Sequence, residues 1–418
     1  MKYLRLALTL LALTPAAMRA DNADSSDQDS EEQQKPPTEI PDFNNLDEYV
    51  YVPKSTLNFG WRVIGGTKVK FTGSASILSY SPVPDLTNQN VSRTYADGYV
   101  YSDTRTVVSE NGDGTAVSFP ITPDGKTNTW TYTNTSQVLP SGFIQFHIYT
   151  ADTTASEFNA SGKTNTGLEV SVAHDYKDFG KHWSLKLFGG FSVNDISAYS
   201  MGTLNAVLNT TTDTYDLYGV TPPPATPAIP YNSAAGTGGT QDVFDANGNP
   251  EYDANGNPIT ELVDTNILIS NSPLNRLTSS GPTTVTNTYK VHGAYSTFRG
   301  GPQLVYNFND HLHLAVSAGP ALVFAGSSYT VNSTLTPPTG DSVVETLVNT
   351  TSKGLIGYYA DATMQYNLTE TAGFYLGAST QFTGTYSQTA ALAGAGSYTT
   401  SVDLNSLAGV RAGMAVKF

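Results

Sequence analysis

What limits this chain most is a period of two that never lengthens into an apolar run. From Ser401 to Phe418 the sequence SVDLNSLAGVRAGMAVKF sets Phe418, Val416, Met414, Ala412, Val410 and Ala408 on one parity. Lys417, Ala415, Gly413, Arg411, Gly409, Asn405 and Asp403 fall on the other. Successive side chains of a strand point to opposite faces, so this segment is a strand with one small, apolar face and one carrying isolated charges. No segment supplies the roughly 18 consecutive apolar residues that a membrane-crossing helix requires. A strand needs only about 10 alternating residues to make the same crossing.

Seven earlier segments alternate in the same way: Leu57 to Phe71, Leu168 to Tyr176, Trp183 to Asn194, Arg299 to Phe308, Leu312 to Phe324, Ile356 to Leu368 and Phe374 to Tyr386. Connections are long after the first, third, fifth and seventh segments and short after the second, fourth and sixth. An even count with this alternation predicts an all-β fold, a closed antiparallel transmembrane β-barrel of eight strands with long extracellular loops and both ends on the periplasmic side. If the inserts hide another hairpin, the count becomes ten. The final strand, ending on Phe418, resembles the closing strand of a bacterial outer-membrane β-barrel. The region from Leu57 onward resembles the small outer-membrane barrels of the OmpA membrane domain and OmpW class. That resemblance implies a bacterial outer-membrane location and outer-membrane lipids as surroundings. It also implies Phe418 as a signal read by the barrel assembly machinery, and a role as structural surface protein, adhesin or porin-like conduit for small solutes. Two inserts of nearly ninety residues each set this chain apart from compact members of that class.

Residues 1–20, MKYLRLALTLLALTPAAMRA, place Lys2 and Arg5 before a short apolar run and small residues at the end, the pattern of a signal peptide. Residues 21–56 form an acidic periplasmic linker, with ten acidic residues between Asp21 and Ser55 against Lys35 and Lys54. Such a composition cannot bury a core. Residues 57–418 form the barrel, interrupted by surface inserts at about 73–163 and 195–287. There are no cysteines, so an exported chain of this size relies on its hydrogen-bonded sheet and packing rather than disulfides. The formal net charge of −15 excludes nucleic acid as a partner, since a phosphate backbone asks for Lys and Arg.

Assigning the charged parity inward brings Arg62, Lys68, Lys70, Lys186, Arg299 and Arg411 into one lumen with Glu169, Asp175, Asp361 and Asp403. Buried charges persist only when paired and hydrogen-bonded, so these ten predict a salt-bridged network that blocks bulk water. Function then falls to the loops, where an extracellular ligand would bind, or to a narrow conditional path through the lumen. A soluble secreted β-sandwich is the competing fold, because it shares the period of two.

No cofactor is implied. The tandem repeat VFDANGNP–EYDANGNP offers Asp245, Asn247 and Asn249, then Asp253, Asn255 and Asn257, oxygen ligands spaced by two as in part of a calcium loop. Asn-Gly is also a hairpin turn, and neither copy carries the closing Glu. His174, Asp175 and Ser171 invite comparison with lipid-modifying outer-membrane enzymes, but His174 and Ser171 have opposite parity and no catalytic motif is present, so the sequence predicts no enzyme. The oligomeric state is open.

Overall fold

A computed structural model describes residues 54–78, 86, 91–110, 116–120, 122–161, 164–223, 231–233, 239–243, 245, 249–263, 267–339, 341–392 and 395–418. The expected signal peptide and nearly all of the acidic linker lie outside these residues. No helix among them is long and apolar enough to cross a membrane.

The largest sheet has fourteen strands. In chain order they are β1 (Ser55–Gly65), β2 (Lys68–Leu78), β3 (Val138–Leu139), β4 (Phe143–Thr153), β5 (Ser156–Ser161), β6 (Asn165–Phe179) and β7 (Trp183–Asp216). Then follow β8 (Asn275–Asn307), β9 (Leu312–Leu335), β10 (Val343–Asn367), β11 (Ala372–Phe382), β12 (Thr385–Leu392), β13 (Gly396–Asp403) and β14 (Leu407–Lys417). Every pairing is antiparallel. One run of neighbours reads β6, β1, β14, β11, β10, β9, β8, β7, and β7 pairs with β6 as well. The remaining six strands branch from β7: β4 pairs with β7, β2 with β4, β13 and β5 with β2, β12 with β13, and β3 with β4.

This corrects the expected fold class, an eight- or ten-stranded closed barrel. The reason lies in strand length. β7 has 34 residues and β8 has 33, about three times what a bilayer crossing needs. Trp183 to Asn194 of β7 pair with β6, whereas Ala206 to Asp216 pair with β4, so one strand changes neighbour along its length. The expected insert at 195–287 is therefore largely strand at both ends, and the insert at 73–163 contributes β2, β3, β4 and β5 to the same sheet. Ser, Thr and Asn dominate these extensions, for example NTTTD at Asn209–Asp213, and give no apolar alternation to read.

Short turns at one end are built by side chains that cap backbone N–H groups. Asn309 Oδ1 accepts from the N–H of His311 (2.9 Å) and Leu312 (2.8 Å), joining β8 to β9. Thr369 Oγ1 accepts from Ala372 N (3.0 Å) between β10 and β11. Both are turns that a short polar side chain makes with its own following backbone. At the same end Ser55 and Phe418 exchange backbone hydrogen bonds of 2.9 and 3.2 Å, aligning β1 with β14.

β1 and β2 were expected as one strand from Leu57 to Phe71. They are two, separated at Gly66, whose φ of +102° lies in the left-handed half of the map. The turn resets which parity faces inward: Arg62 and Ile64 are buried in β1, but Val69 and Phe71 are buried in β2. Lys68 and Lys70 consequently point outward and are exposed, which corrects their expected place in the lumen.

The interior changes character along the long strands. Toward the short turns it is polar and charged. Farther along, Phe71 stacks on Tyr289 and Tyr329 with ring centroids 5.1 and 5.9 Å apart, within a cluster that includes Ile64, Val69, Val291, Val331, Tyr398 and Val402. Beyond β4, a separate aromatic core gathers Tyr95, Trp130, Tyr132, Phe146 and Tyr215. Substituting Gly66 by Val would place a Cβ 2.2 Å from Ser406 O and force an unfavourable φ. We expect a loss of about 1–3 kcal/mol, read as a lower urea midpoint by Trp fluorescence; an unchanged midpoint would mean that Gly66 does not set the parity change.

Candidate functional site

Arg62 on β1, Glu169 on β6, Arg299 on β8, Asp361 on β10 and Arg411 on β14 meet in the polar part of the interior. Each stands on the inward parity of its strand, and side-chain exposure is 0–2 % for all five. Glu169 is the hub. Its Oε2 lies 2.7 Å from Arg299 Nη2 and 3.9 Å from Arg62 Nε, and its Oε1 accepts from Arg411 Nη1. Asp361 is the second anion, 2.9 Å from Arg411 Nη2 and 3.5 Å from Arg299 Nη1.

Neutral polar groups complete the shell. Arg62 Nη1 donates to Ser192 Oγ at 2.7 Å and Nη2 to Gln381 Oε1 at 3.4 Å, while Arg411 Nη2 also donates to Thr363 Oγ1. Phe188 and Tyr359 lie under Arg299 at 5.7 and 5.3 Å, and Tyr375 lies 5.8 Å from Arg411. Aromatic faces are apolar walls that still attract a guanidinium. This arrangement ties five different strands together across the interior.

On the short-turn side of the cluster is a cavity of about 510 Å³, lined by Arg411, Tyr375, Lys186, Lys417, Asn58, Gln303 and His313 among others. Lys186 Nζ is 2.7 Å from Asp175 Oδ1 at its wall. His313 is held by two neighbours: Nδ1 is 2.7 Å from Asn307 Oδ1, and Asn367 Nδ2 is 2.9 Å from Nε2. Asn367 can only donate through Nδ2, so Nε2 accepts, and the proton sits on Nδ1 of a neutral ring.

Of the ten charges assigned to the lumen, five form the cluster and Lys186–Asp175 form a pair at the cavity. The other three are elsewhere. Lys70 makes a surface ion pair with Glu157 at 2.7 Å, Lys68 is exposed, and Asp403 accepts from Asn405 N (2.9 Å) and Thr385 Oγ1 (3.1 Å) beside a turn. Ser171 is buried on the interior side while His174 is exposed and bonded to Ser55 Oγ at 2.9 Å, so the residues weighed for catalysis do not converge. In the tandem repeat, Asp253 Oδ1 accepts from the N–H of Asn255 (2.8 Å) and Asn257 (2.9 Å), and these bonds hold its carboxyl below the usual range. Asp245 accepts from Asn249 N at 2.9 Å in the same way, whereas Asn247 lies outside the described residues. Both are the bonds of a turn. Among the described residues, no group of three or more His, Asp or Glu side chains could hold a metal ion.

Sequence reading missed a second buried set at the far end of the long strands. Arg276 pairs with Asp213 through Nε at 2.6 Å and Nη2 at 2.7 Å, and Tyr95 donates to Asp213 Oδ2 at 2.7 Å. Burial pushes the Tyr95 hydroxyl well above its ordinary value, keeping it a donor. Asp97 accepts from His147 N (2.8 Å) and Thr339 Oγ1 (2.9 Å), with His147 Nδ1 at 2.6 Å. These groups fix the inserts to β4, β7 and β8. Their only sequence signal was an isolated charge within a Thr- or Tyr-rich stretch.

No family model matches this chain, and no curated protein matches it. Among solved structures it is similar to the outer-membrane protease OmpT of Escherichia coli, at 8% identity and a TM-score of 0.25, over 87% of this chain and 97% of that one. It is also similar to a Pseudomonas aeruginosa FadL homologue, at 11% identity and TM-score 0.18, over 90% and 93%. A third likeness is to the outer-membrane expressed OmpT of Vibrio cholerae, at 7% identity and TM-score 0.11, over 88% and 99%. These are weak likenesses to bacterial outer-membrane proteins in general, not to the OmpA or OmpW class in particular.

The cluster holds three cations against two anions, which predicts an asymmetry. Glu169→Gln leaves three guanidinium groups with one carboxylate and should cost about 3–5 kcal/mol. Arg62→Met leaves two against two and should cost clearly less. Urea titration of the two variants checks the order; equal losses would mean that charge balance does not govern the cluster.

Proposed function

We propose that this chain is an integral protein of a bacterial outer membrane, crossing the bilayer with the strands around the charge cluster and acting as a structural or surface-binding protein. One observation carries the reading: polarity is inverted over the same span of sheet. Inside stand buried Arg62, Glu169, Arg299, Asp361 and Arg411; outside stand Trp61 (68 % exposed), Ile356 (78 %), Tyr358, Leu376, Met414 and Leu187. A soluble sandwich does the reverse, burying the apolar face and wetting the polar one. On β10 a closely spaced set of exposed apolar side chains runs from Ile356 to Tyr366, with Leu368 following in the turn and Val344 and Val348 set apart farther along. At about 3.3 Å per residue and a tilt near 40°, Ile356 to Tyr366 spans roughly 25 Å, the height of the apolar band of an outer-membrane barrel.

The cross-linked cluster argues against a steady aqueous path, so the porin-like reading is the weaker one. Binding outside the membrane then belongs to the part of the sheet built from β2, β4, β5, β12 and β13 and to the inserts they carry. Phe418 stands as the proposed contact of the assembly machinery, and no catalytic role is proposed.

Fractionation tests the reading directly. The protein should stay with outer membranes through a carbonate wash and migrate differently before and after boiling; release into the aqueous fraction would overturn it. Ala362→Arg, at an exposed outward position midway between Ile356 and Leu368, should lower folding into lipid by about 2–4 kcal/mol, while leaving detergent-free solubility poor. Planar bilayers containing the wild type should carry no sustained current.

A further inference from the structure

Strand β10 has a neighbour on both sides for only half of its length. β9 accompanies it without a register shift from Val343 to Tyr366, but β11 accompanies it only from Tyr358 to Asn367. Past Phe382 the chain leaves that edge. β12 turns across the inner face of the sheet instead, where Tyr386 Oη and Gln388 Nε2 lie 2.8 and 3.1 Å from the buried Ser327 Oγ of β9. Among the described residues no strand pairs with the outer edge of β10 from Val343 to Gly357.

The turns fix which backbone groups face this edge. Asn367 N–H donates to His311 O at 2.8 Å, toward β9, and Leu368 N–H donates to Ala372 O at 2.9 Å, toward β11. Hydrogen-bonded and non-hydrogen-bonded positions alternate along an antiparallel strand, so Val344, Thr346, Val348, Thr350, Ser352 and Gly354 present N–H and C=O to the open side. All six residues are exposed. Neither a proline nor a bulge, two devices that commonly close such an edge, interrupts the stretch. Its charged residues are Glu345 and Lys353, eight positions apart. Neither makes an ion pair among the described residues, and their neighbours across the β9 ladder, Ser333 and Ala325, are uncharged. Two opposite charges at this spacing do not repel every incoming strand; they favour one register of one pattern.

We infer that this edge takes up an extended segment of another protein, added antiparallel to β10 in continuation of the β11 ladder, with an acidic residue opposite Lys353 and a basic residue eight positions later opposite Glu345. Main-chain hydrogen bonds supply the affinity and the two charges set the register. Copies inserted in one membrane point β10 the same way, so a second copy does not supply an antiparallel strand. That choice of occupant rests on the membrane reading; the open edge does not.

The test uses the full chain in lipid nanodiscs, one copy to a disc, with fluorescent synthetic peptides followed by anisotropy. The probe has the sequence of residues 343–355, VVETLVNTTSKGL, in which Glu precedes Lys by the required spacing. It should bind saturably, and exchanging its Glu and Lys should weaken binding on the order of tenfold. N-methylation at the positions of Val348 and Thr350 removes N–H groups that face β10 and should abolish binding. The double variant Glu345→Lys with Lys353→Glu should prefer the exchanged peptide; if it fails to fold, the two altered peptides, which leave the protein untouched, decide. No saturation below about 1 mM, equal binding of the exchanged peptide, or undiminished binding of the methylated one would each overturn the proposal. Discs that associate in pairs, and separate in Lys353→Glu, would assign the edge to a second copy and overturn it too. Failure of the chain to enter the discs counts against the membrane reading, and the same peptide series without lipid then decides the edge.

Discussion

Glu169 is the residue on which the polar half of the interior depends. A carboxylate removed from water is tolerable only where cations and hydrogen-bond donors replace its hydration, and here three guanidinium groups from β1, β8 and β14 do so. Asp361 adds a second link between β8 and β14. Because the five residues belong to five strands far apart in sequence, their pairing requires those strands in one register. The cluster therefore specifies an arrangement as well as filling a space. Arginine suits this role, since its planar fork can address two acceptors at once.

The long strands β7 to β10 pass through two environments, and the composition of each half follows from what it must satisfy. Near the short turns their outward residues are large and apolar and their inward residues polar. Farther along, the outward positions of β9 turn to Ser, Thr and Asn while its inward ones include Tyr, Val and Leu; on β7 and β10 Tyr199, Met201, Val344 and Val348 remain exposed among polar neighbours. On the membrane reading proposed above, the exchange is what a sheet needs on leaving hydrocarbon for water, with the hydrophobic effect acting outside in one half and inside in the other. Backbone pairing is continuous across the boundary, as the β7–β8 ladder from Trp183–Tyr306 to Thr214–Asn275 makes plain.

Parity in the sequence was enough to find the cluster residues because each lies well inside an uninterrupted strand. It failed where the chain bends. Gly66 separates two strands that share an apparent alternation, so Lys68 and Lys70 were assigned to the wrong face. Strand number was illegible for a different reason. Segments such as Asn205–Asp213 and Thr283–Asn287 carry weak apolar alternation and are strands because long neighbours pair with them, a tertiary effect that outweighs local propensity. Glu157 and Lys70, like Asp213 and Arg276, could not be matched from sequence because they pair across neighbouring strands whose register local pattern does not show, and Asp97 because it reaches from an insert to His147 of β4. The cavity was equally hidden, although Lys417 and Arg411 were visible on one parity of the same strand.

The central claim, inverted polarity over one span of sheet, can be tested position by position because the chain has no native cysteine. Single cysteines carrying nitroxide labels along β10, in protein reconstituted into lipid vesicles, would report collisions with oxygen in the bilayer and with a nickel chelate in water. The account predicts oxygen-dominated collisions at 358, 360, 362 and 364, and nickel-dominated collisions at 344, 346 and 348. Nickel access at the first four positions equal to that at the last three would contradict it.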